Sequence, residues 1–350
     1  MLWSAKRNYS LSYFCRRKIA VMKTQGLKPR GGILPAAVIV VALLLVSRAA
    51  ALVDFPIGYA SLGGTYGFIA LIQSQKLLEK EGIQPKFVYI GGPQISQALI
   101  AGDIQMAIVA AASPIIAAAQ GADIRIVGGV TDREVGAIVA DAKITKPAEL
   151  KGTRMAIDRL GDYTDFRARK VLKILNLEPQ KDVFLLQIGG QTARFASLRS
   201  GQVQSVFVAP PLTLVAKRAG FRILVELADL GFPSTSGALV VLQSTIAKRG
   251  KEVYGVIRAV AEALRFYQTH KEPTIQALSN FMKVKDVEAL EEAWQSHRKI
   301  YQHIPTGSVE GIRMVRDFLG QTNANVAKLN VDELVDLRFV IQLKKEMGDK

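Results

Sequence analysis

From Phe55 onward, short apolar runs alternate with stretches in which apolar residues return every three or four positions. Pro56-Ile57-Gly58-Tyr59-Ala60 predicts a strand, and Gly67 to Glu81 an amphipathic helix. Phe87 to Ile90 predicts the next strand and Ile95 to Ala101 the next helix. A third strand follows at Met106 to Ala110, then an Ile- and Ala-rich helix to Gln120 and a fourth strand at Ile124 to Val127. Strands separated by helices of this length imply parallel pairing through right-handed crossovers. The strands are apolar throughout rather than alternating, as expected where helices cover both faces of a sheet. The fold class this predicts is α/β, doubly wound.

The pattern then repeats. Phe87-Val-Tyr-Ile-Gly-Gly-Pro-Gln is echoed by Phe184-Leu-Leu-Gln-Ile-Gly-Gly-Gln. Leu99, Gly102, Gln105 and Gly121 match Leu198, Gly201, Gln204 and Gly220 at a constant offset of 99, and Leu62-Gly63 matches Leu160-Gly161 at 98. Such a period is too long for a solenoid and implies two α/β lobes of similar topology. The polar stretch Asp141 to Lys151, with Pro147, reads as the passage between them. The turn-rich Asp229-Leu-Gly-Phe-Pro-Ser-Thr-Ser-Gly reads as the return, leading into the apolar Ala238 to Leu242. The expected division is therefore 52–140 plus 231–350 for the first lobe and 141–230 for the second. Two passages make a hinge about which such lobes close. Residues 252–350 are helical in pattern and are expected to buttress the first lobe.

Charge changes the picture at one end only. The net charge is +16, but residues 1–51 hold nine basic residues and no acid, so the remainder carries +7 with both signs interspersed. A nucleic-acid binder would keep a basic stripe in its folded part, so that class is excluded. The basic segment leads into an apolar run, Ile33 to Val46, of 14 residues, and then Ala49-x-Ala51. That is short for a spanning helix and fits a signal peptide cleaved near Ala51, placing the protein in the periplasm. An uncleaved membrane anchor is the alternative, and Met22 offers a more typical start. Cys15 is the only cysteine and precedes the apolar run, so there is no lipobox and the mature chain has no thiol.

In parallel α/β sheets, ligands bind beyond the carboxyl ends of the strands. The loops there contain Ser61, Gly63, Thr65 and Tyr66, then Gly91, Gly92 and Gln94, then Ala112 and Ser113. In the second lobe they contain Arg159, Gly161, Asp162 and Tyr163, then Gln191, and later Pro210. Glycines let a ligand approach the amides that open each helix, where anions are favoured. Each helix start contributes about 0.3–1 kcal/mol, so several must converge to reach the ~8 kcal/mol of micromolar binding. Ser61, Thr65, Asp162 and Thr164 are equally good helix caps. His270, His297 and His303 all fall in the helical tail, away from these loops. Without His or Cys among the loops the usual nucleophile–base pairs are missing, and neither an enzyme, a metal site nor a cofactor is expected.

Glu81-Gly-Ile, Ile90-Gly-Gly, Ala98-Leu-Ile-Ala-Gly-Asp-Ile, Leu150-Lys-Gly and Ile188-Gly-Gly-Gln…Ser197-Leu-Arg-Ser-Gly carry a resemblance. From about Phe55 to Leu343 the chain resembles the solute-binding proteins of sulfonate, taurine, nitrate and thiamine-precursor transport, the SsuA/THI5-like or NMT1-like group. The resemblance implies a type II periplasmic-binding-protein fold and no cofactor. It also implies a small-molecule ligand in the interlobe cleft, delivered by a monomer to an ABC permease and its ATPase. The family's ligand loops fall on Ser61, Gly63, Thr65, Gly91, Gly92, Gln94, Ala112, Ser113, Arg159, Gly161, Gln191 and Pro210. Asp162-Tyr163 stands where the family more often has a small hydroxyl, which points to an amine-bearing or neutral aromatic solute with Tyr163 as a stacking surface. An enzyme on the same fold and an orphan ligand sensor are the alternatives.

Overall fold

The computed structural model describes residues 51–348 apart from Gly92, Pro93 and Phe232, so the export signal expected over 1–51 lies, but for Ala51, outside the described residues. Twelve strands are described: β1 (Val53–Asp54), β2 (Ile57–Tyr59), β3 (Ile83–Gln84), β4 (Phe87–Tyr89), β5 (Met106–Val109), β6 (Ile124–Gly129), β7 (Ala137–Ala140), β8 (Thr153–Ile157), β9 (Val183–Gln187), β10 (Ser205–Val208), β11 (Arg222–Glu226) and β12 (Ala238–Leu242). The helices are α1 (Phe68–Ser74), α2 (Leu77–Lys80), α3 (Gln94–Ala101), α4 (Ala112–Ala119), α5 (Tyr163–Ile174), α6 (Gln191–Arg199) and α7 (Leu212–Arg218). Then come α8 (Gln243–Thr269), α9 (Lys271–Met282), α10 (Val287–Arg298), α11 (Val309–Gly320), α12 (Ala324–Ala327), α13 (Val331–Leu334) and α14 (Arg338–Met347). The helix expected over Gly67 to Glu81 is divided into α1 and α2 because Lys76 takes a left-handed conformation, φ 52°.

Two five-stranded sheets result, ordered β4-β2-β5-β12-β6 and β11-β7-β10-β8-β9. β2 pairs in parallel with β4 and β5, and β8 with β9 and β10, as the pattern predicts. β12 and β7 run antiparallel to both their neighbours. The reason is the route of the chain. Each of these strands enters its sheet directly from the other one and so starts at the end where its neighbours finish. β7 also corrects the expected division at 140/141. Its Ala-Ile-Val-Ala run pairs with β10 and β11, so the change of sheet comes between Gly129 and Ala137, one strand earlier than the polar stretch suggested. An apolar four-residue run fits either sheet, and only the pairing decides.

Register fixes where the opening lies. Val109, at the end of β5, stands opposite Ala238, at the start of β12, and Val208 stands opposite Ala137. The carboxyl ends of the parallel strands in both sheets therefore lie at the two crossing segments, 130–136 and 227–237. We term the two crossing segments the floor, and the loops that follow the strands of each sheet its wall.

Apolar packing covers both faces of each sheet. Ile57 and Ile108 meet α1 and α8 through Phe68, Val256, Val260 and Leu264, and the later helices join this cluster through Leu278, Leu290 and Val340. Ala107 and Val109 pack with Ile95, Leu99 and Ile115 on the other face. In the second sheet α5 covers one face and α6 and α7 the other. The repeat seen in the sequence is reproduced to individual hydrogen bonds. Gln105 Nε2 donates to Gly102 O at 3.2 Å, and Gln204 Nε2 to Gly201 O at 3.2 Å. Both glycines sit at positive φ, 84° and 75°, which a side chain would strain.

Candidate functional site

The first-lobe loops turn out to be occupied mainly with their own support. Ser61 Oγ accepts from Gly63 N at 3.0 Å, so the hydroxyl is used within the loop. Thr65 Oγ1 lies 3.3 Å from His297 Nε2. The ring's Nδ1 faces Ala293 O at 2.7 Å and carries the proton, leaving Nε2 to accept from Thr65. His297 is fully buried, and burial pulls its pKa down to about 4, so the ring is neutral. Gly64 has no room for a side chain, since a Cβ would lie 2.4 Å from His297 Cε1. Tyr301 Oη donates to Gly64 O and Thr65 O, each at 2.9 Å, and Tyr66 is buried with its hydroxyl on Ser236 O at 3.1 Å. His297 thus returns from the helical tail to brace the first loop, contrary to the expectation that all three histidines stand away from it. Ser113 Oγ meets Ser96 Oγ at 2.7 Å and ties α4 to α3, and Ala112 is buried beside it. Gly91 lies against the Tyr89 phenol, Gln94 is exposed at the start of α3, and Gly92 is outside the described residues.

Most amides in the first loop of the second lobe are engaged within the protein. Asp158 N donates to Thr164 Oγ1 at 2.8 Å, Leu160 N to Gln187 Oε1 at 3.3 Å, and Gly161 N to Asp165 Oδ2 at 2.8 Å. Asp162 is the N-cap of α5, with Oδ1 accepting from Thr164 N at 2.7 Å and Asp165 N at 3.0 Å. Burial raises its pKa, against the lowering effect of those bonds. Its carboxylate faces its own helix, so it sets no rule against an anion in the opening. Arg159 is exposed on this loop.

Tyr163 belongs to the floor. Its hydroxyl donates to Glu134 Oε2 and lies 2.5 Å from Ser234 Oγ, and its ring packs on Phe166 at 5.9 Å. A ring held this way is not a free stacking surface. Glu134, in the first crossing, also accepts from Ser234 Oγ at 2.8 Å, Ser236 Oγ at 3.2 Å and Arg167 Nη1 at 2.9 Å. One buried carboxylate therefore joins both crossings to α5. Burial, followed by the charge of Glu134, holds the Tyr163 phenol neutral, well above its usual range.

The remaining wall is different. No side chain caps α6, whose N-cap is Gly190. Arg194, in its first turn, is 5% exposed, and Nη1 donates to Gly189 O at 2.8 Å in the turn that opens the helix. Its Nε has no partner, and among the described residues no carboxylate lies within ion-pair distance of it. Burial, and then the nearby charge of Arg167, pull its pKa down to about 10, against the opposing effect of Asp158 and Asp162. A cation in the first turn of a helix already stands at the wrong end of the dipole. Two sources of positive potential thus converge on one place, where Asp158 and Asp162 act on the arginine without forming an ion pair with it. Gln191, at the same helix start, has its Oε1 on Ala209 N at 2.9 Å, fixing the neighbouring loop, where Pro210 is buried.

Sequence reasoning missed Glu134, Arg167, Arg194, Ser234, Ser236 and His297. Only Arg194 left a local trace, a basic residue three positions after Gly190-Gln191 where a helix start favours acids.

The family model described as NMT1/THI5 like matches residues 68–273, more than half of the chain. The chain belongs to this family. An Escherichia coli protein described as aliphatic sulfonates-binding is 26% identical over 237 residues, covering 65% of this chain and 70% of the relative. The periplasmic aliphatic sulphonate binding protein SsuA from Escherichia coli superimposes with a TM-score of 0.68 at 22% identity, covering 81% of this chain and 92% of that one. The desulfurization enzyme DSZB does so with a TM-score of 0.64 at 15% identity, covering 84% and 99%. The NMT1/THI5-like chain thus has the periplasmic-binding-protein fold, with two sheets joined by two crossings. Its similarity to named binding proteins supports a solute-binding role. Among the described residues no helix is long and apolar enough to cross a membrane, and no His, Cys, Asp and Glu cluster could hold a metal ion.

Proposed function

We propose that this protein is the extracytoplasmic solute-binding component of an ABC importer and that it closes its two lobes over an organic anion of the sulfonate class. The observation that carries the reading is Arg194, buried beneath the uncapped start of α6 without a carboxylate. A buried charge is costly unless paired, and an arginine cannot shed its proton to escape. A sulfonate supplies the missing charge and accepts hydrogen bonds from several donors at once. A cationic amine is disfavoured at the same place, which reverses the preference drawn from Asp162. The protein acts outside the cytoplasm as a monomer, with a permease and its ATPase as membrane partners.

Melting curves and calorimetry test this. The protein with its leader removed is expected to gain several degrees with an alkanesulfonate and none with the matching alkylamine, since ligand stabilises only the folded state it binds. Binding of the amine with no response to any sulfonate would overturn the anion assignment.

A further inference from the structure

Two leucines stand in equivalent places on the two walls and belong to none of the apolar core clusters. Leu62 follows β2 and Leu160 follows β8, at the repeat offset of 98. Each parent strand lies second from the sheet edge remote from the crossings. The carboxyl ends of both strands lie at the crossing segments, so each loop stands beside those segments on its own sheet. Leu62 is 46% and Leu160 50% exposed.

Neither leucine is exposed through slackness of its loop. Gly63 N is tied to Ser61 Oγ at 3.0 Å, while Leu160 N, Gly161 N and Asp158 N all donate to side chains of their own lobe. The frame holds each apolar side chain outward and leaves the Leu160 loop few polar groups to offer a solute. The strand after β8, β9, leads into the turn at Gly189 and the Arg194 site. Leu160 and the Arg194 site therefore follow adjacent strands.

We infer that Leu62 and Leu160 are specificity-determining jaws that grip the hydrocarbon body of the anion, selecting sulfonates that carry a chain or ring over small hydrophilic anions. This rests on the sulfonate reading of the cleft. Removing a methylene from water strengthens binding about fourfold where the group is fully enclosed.

The test is calorimetry of the full chain, leader removed, with methane-, propane- and hexanesulfonate. In the parent protein, affinity is expected to climb about fourfold per methylene. In L62S/L160S the climb should flatten to less than twofold per methylene, with methanesulfonate affinity changed less than twofold. R194M should weaken every member by a similar factor and keep the climb. Both leucines are exposed, so the serine variants are expected to melt within a degree or two of the parent, and single variants serve if the double one does not. A parent climb that the serine variants leave untouched, or no climb in the parent at all, overturns the jaws and spares the anion site. No binding by any sulfonate overturns the sulfonate reading and this inference together.

Discussion

Arg167 and Arg194 lie in the same lobe, each largely buried with an Nε that has no partner, and they differ in their counter-charge. Arg167 has Glu134 at 2.9 Å and the Phe207 ring beneath it at 4.7 Å. Arg194 has one backbone carbonyl. The helices that follow their loops differ in the same sense, since α5 is capped by Asp162 and α6 by no side chain. Arg167 has its charge neutralised within the protein. Arg194 has no ion pair among the described residues, which is the feature the proposed anion would complete.

The most forceful way to break this contrast is to make Arg167 like Arg194. E134A leaves Arg167 buried and unpaired, and removes the acceptor shared by Tyr163, Ser234 and Ser236. Loss of one partner of a buried pair is expected to cost about 3–5 kcal/mol in urea denaturation. A loss below about 1 kcal/mol would show that the floor is not held by this carboxylate.

His297 shows what a buried base does when it can lose its proton. Its pKa is about 4 in the folded protein, below the ordinary 6.5. The unfolded chain therefore binds the proton more readily, and stability is fully present above pH 6.5 and lost as pH falls towards 4. The full effect is about 3 kcal/mol. Unfolding measured from pH 7.5 to 4.5 should decline less steeply in H297N than in the parent, and parallel profiles would count against a neutral buried ring.

Neutralising Arg194 sharpens the contrast from the other side. R194M is expected to lower sulfonate affinity about 10- to 100-fold, the value of a hydrogen bond to a charged group. Ligand-free stability should hold or rise, because an unpaired buried charge is removed. If stability falls by several kcal/mol instead, Arg194 is a structural element like Arg167. The smallest effect is expected at the cap. D162A should cost about 1 kcal/mol of stability and change sulfonate affinity less than threefold, while D162N retains most of the cap. A tenfold affinity change in D162A would return Asp162 to the binding surface.

The legible part of the fold was whatever sequence neighbours settle among themselves. The strand–helix rhythm, the glycines closing Leu99-to-Gly102 and Leu198-to-Gly201, and the Asp162 cap depend on residues a few positions apart. The position of β7 did not, because its four apolar residues pair with strands distant in sequence. Glu134 was illegible for the same reason. Its meaning comes from Ser234, 100 residues later. Asp162 was seen twice, as a cap and as a charge facing the ligand, and only the direction of its carboxylate separates the two.

The placement of β12 between β5 and β6 governs the order in which the molecule can be assembled. The second sheet is drawn from one unbroken stretch, Ala137 to Glu226, and can be completed as soon as that stretch is available. The first lacks a central strand until Leu242 has been supplied. A chain supplied from its N-terminus therefore leaves its first sheet without an inner strand until every strand of the second has been supplied.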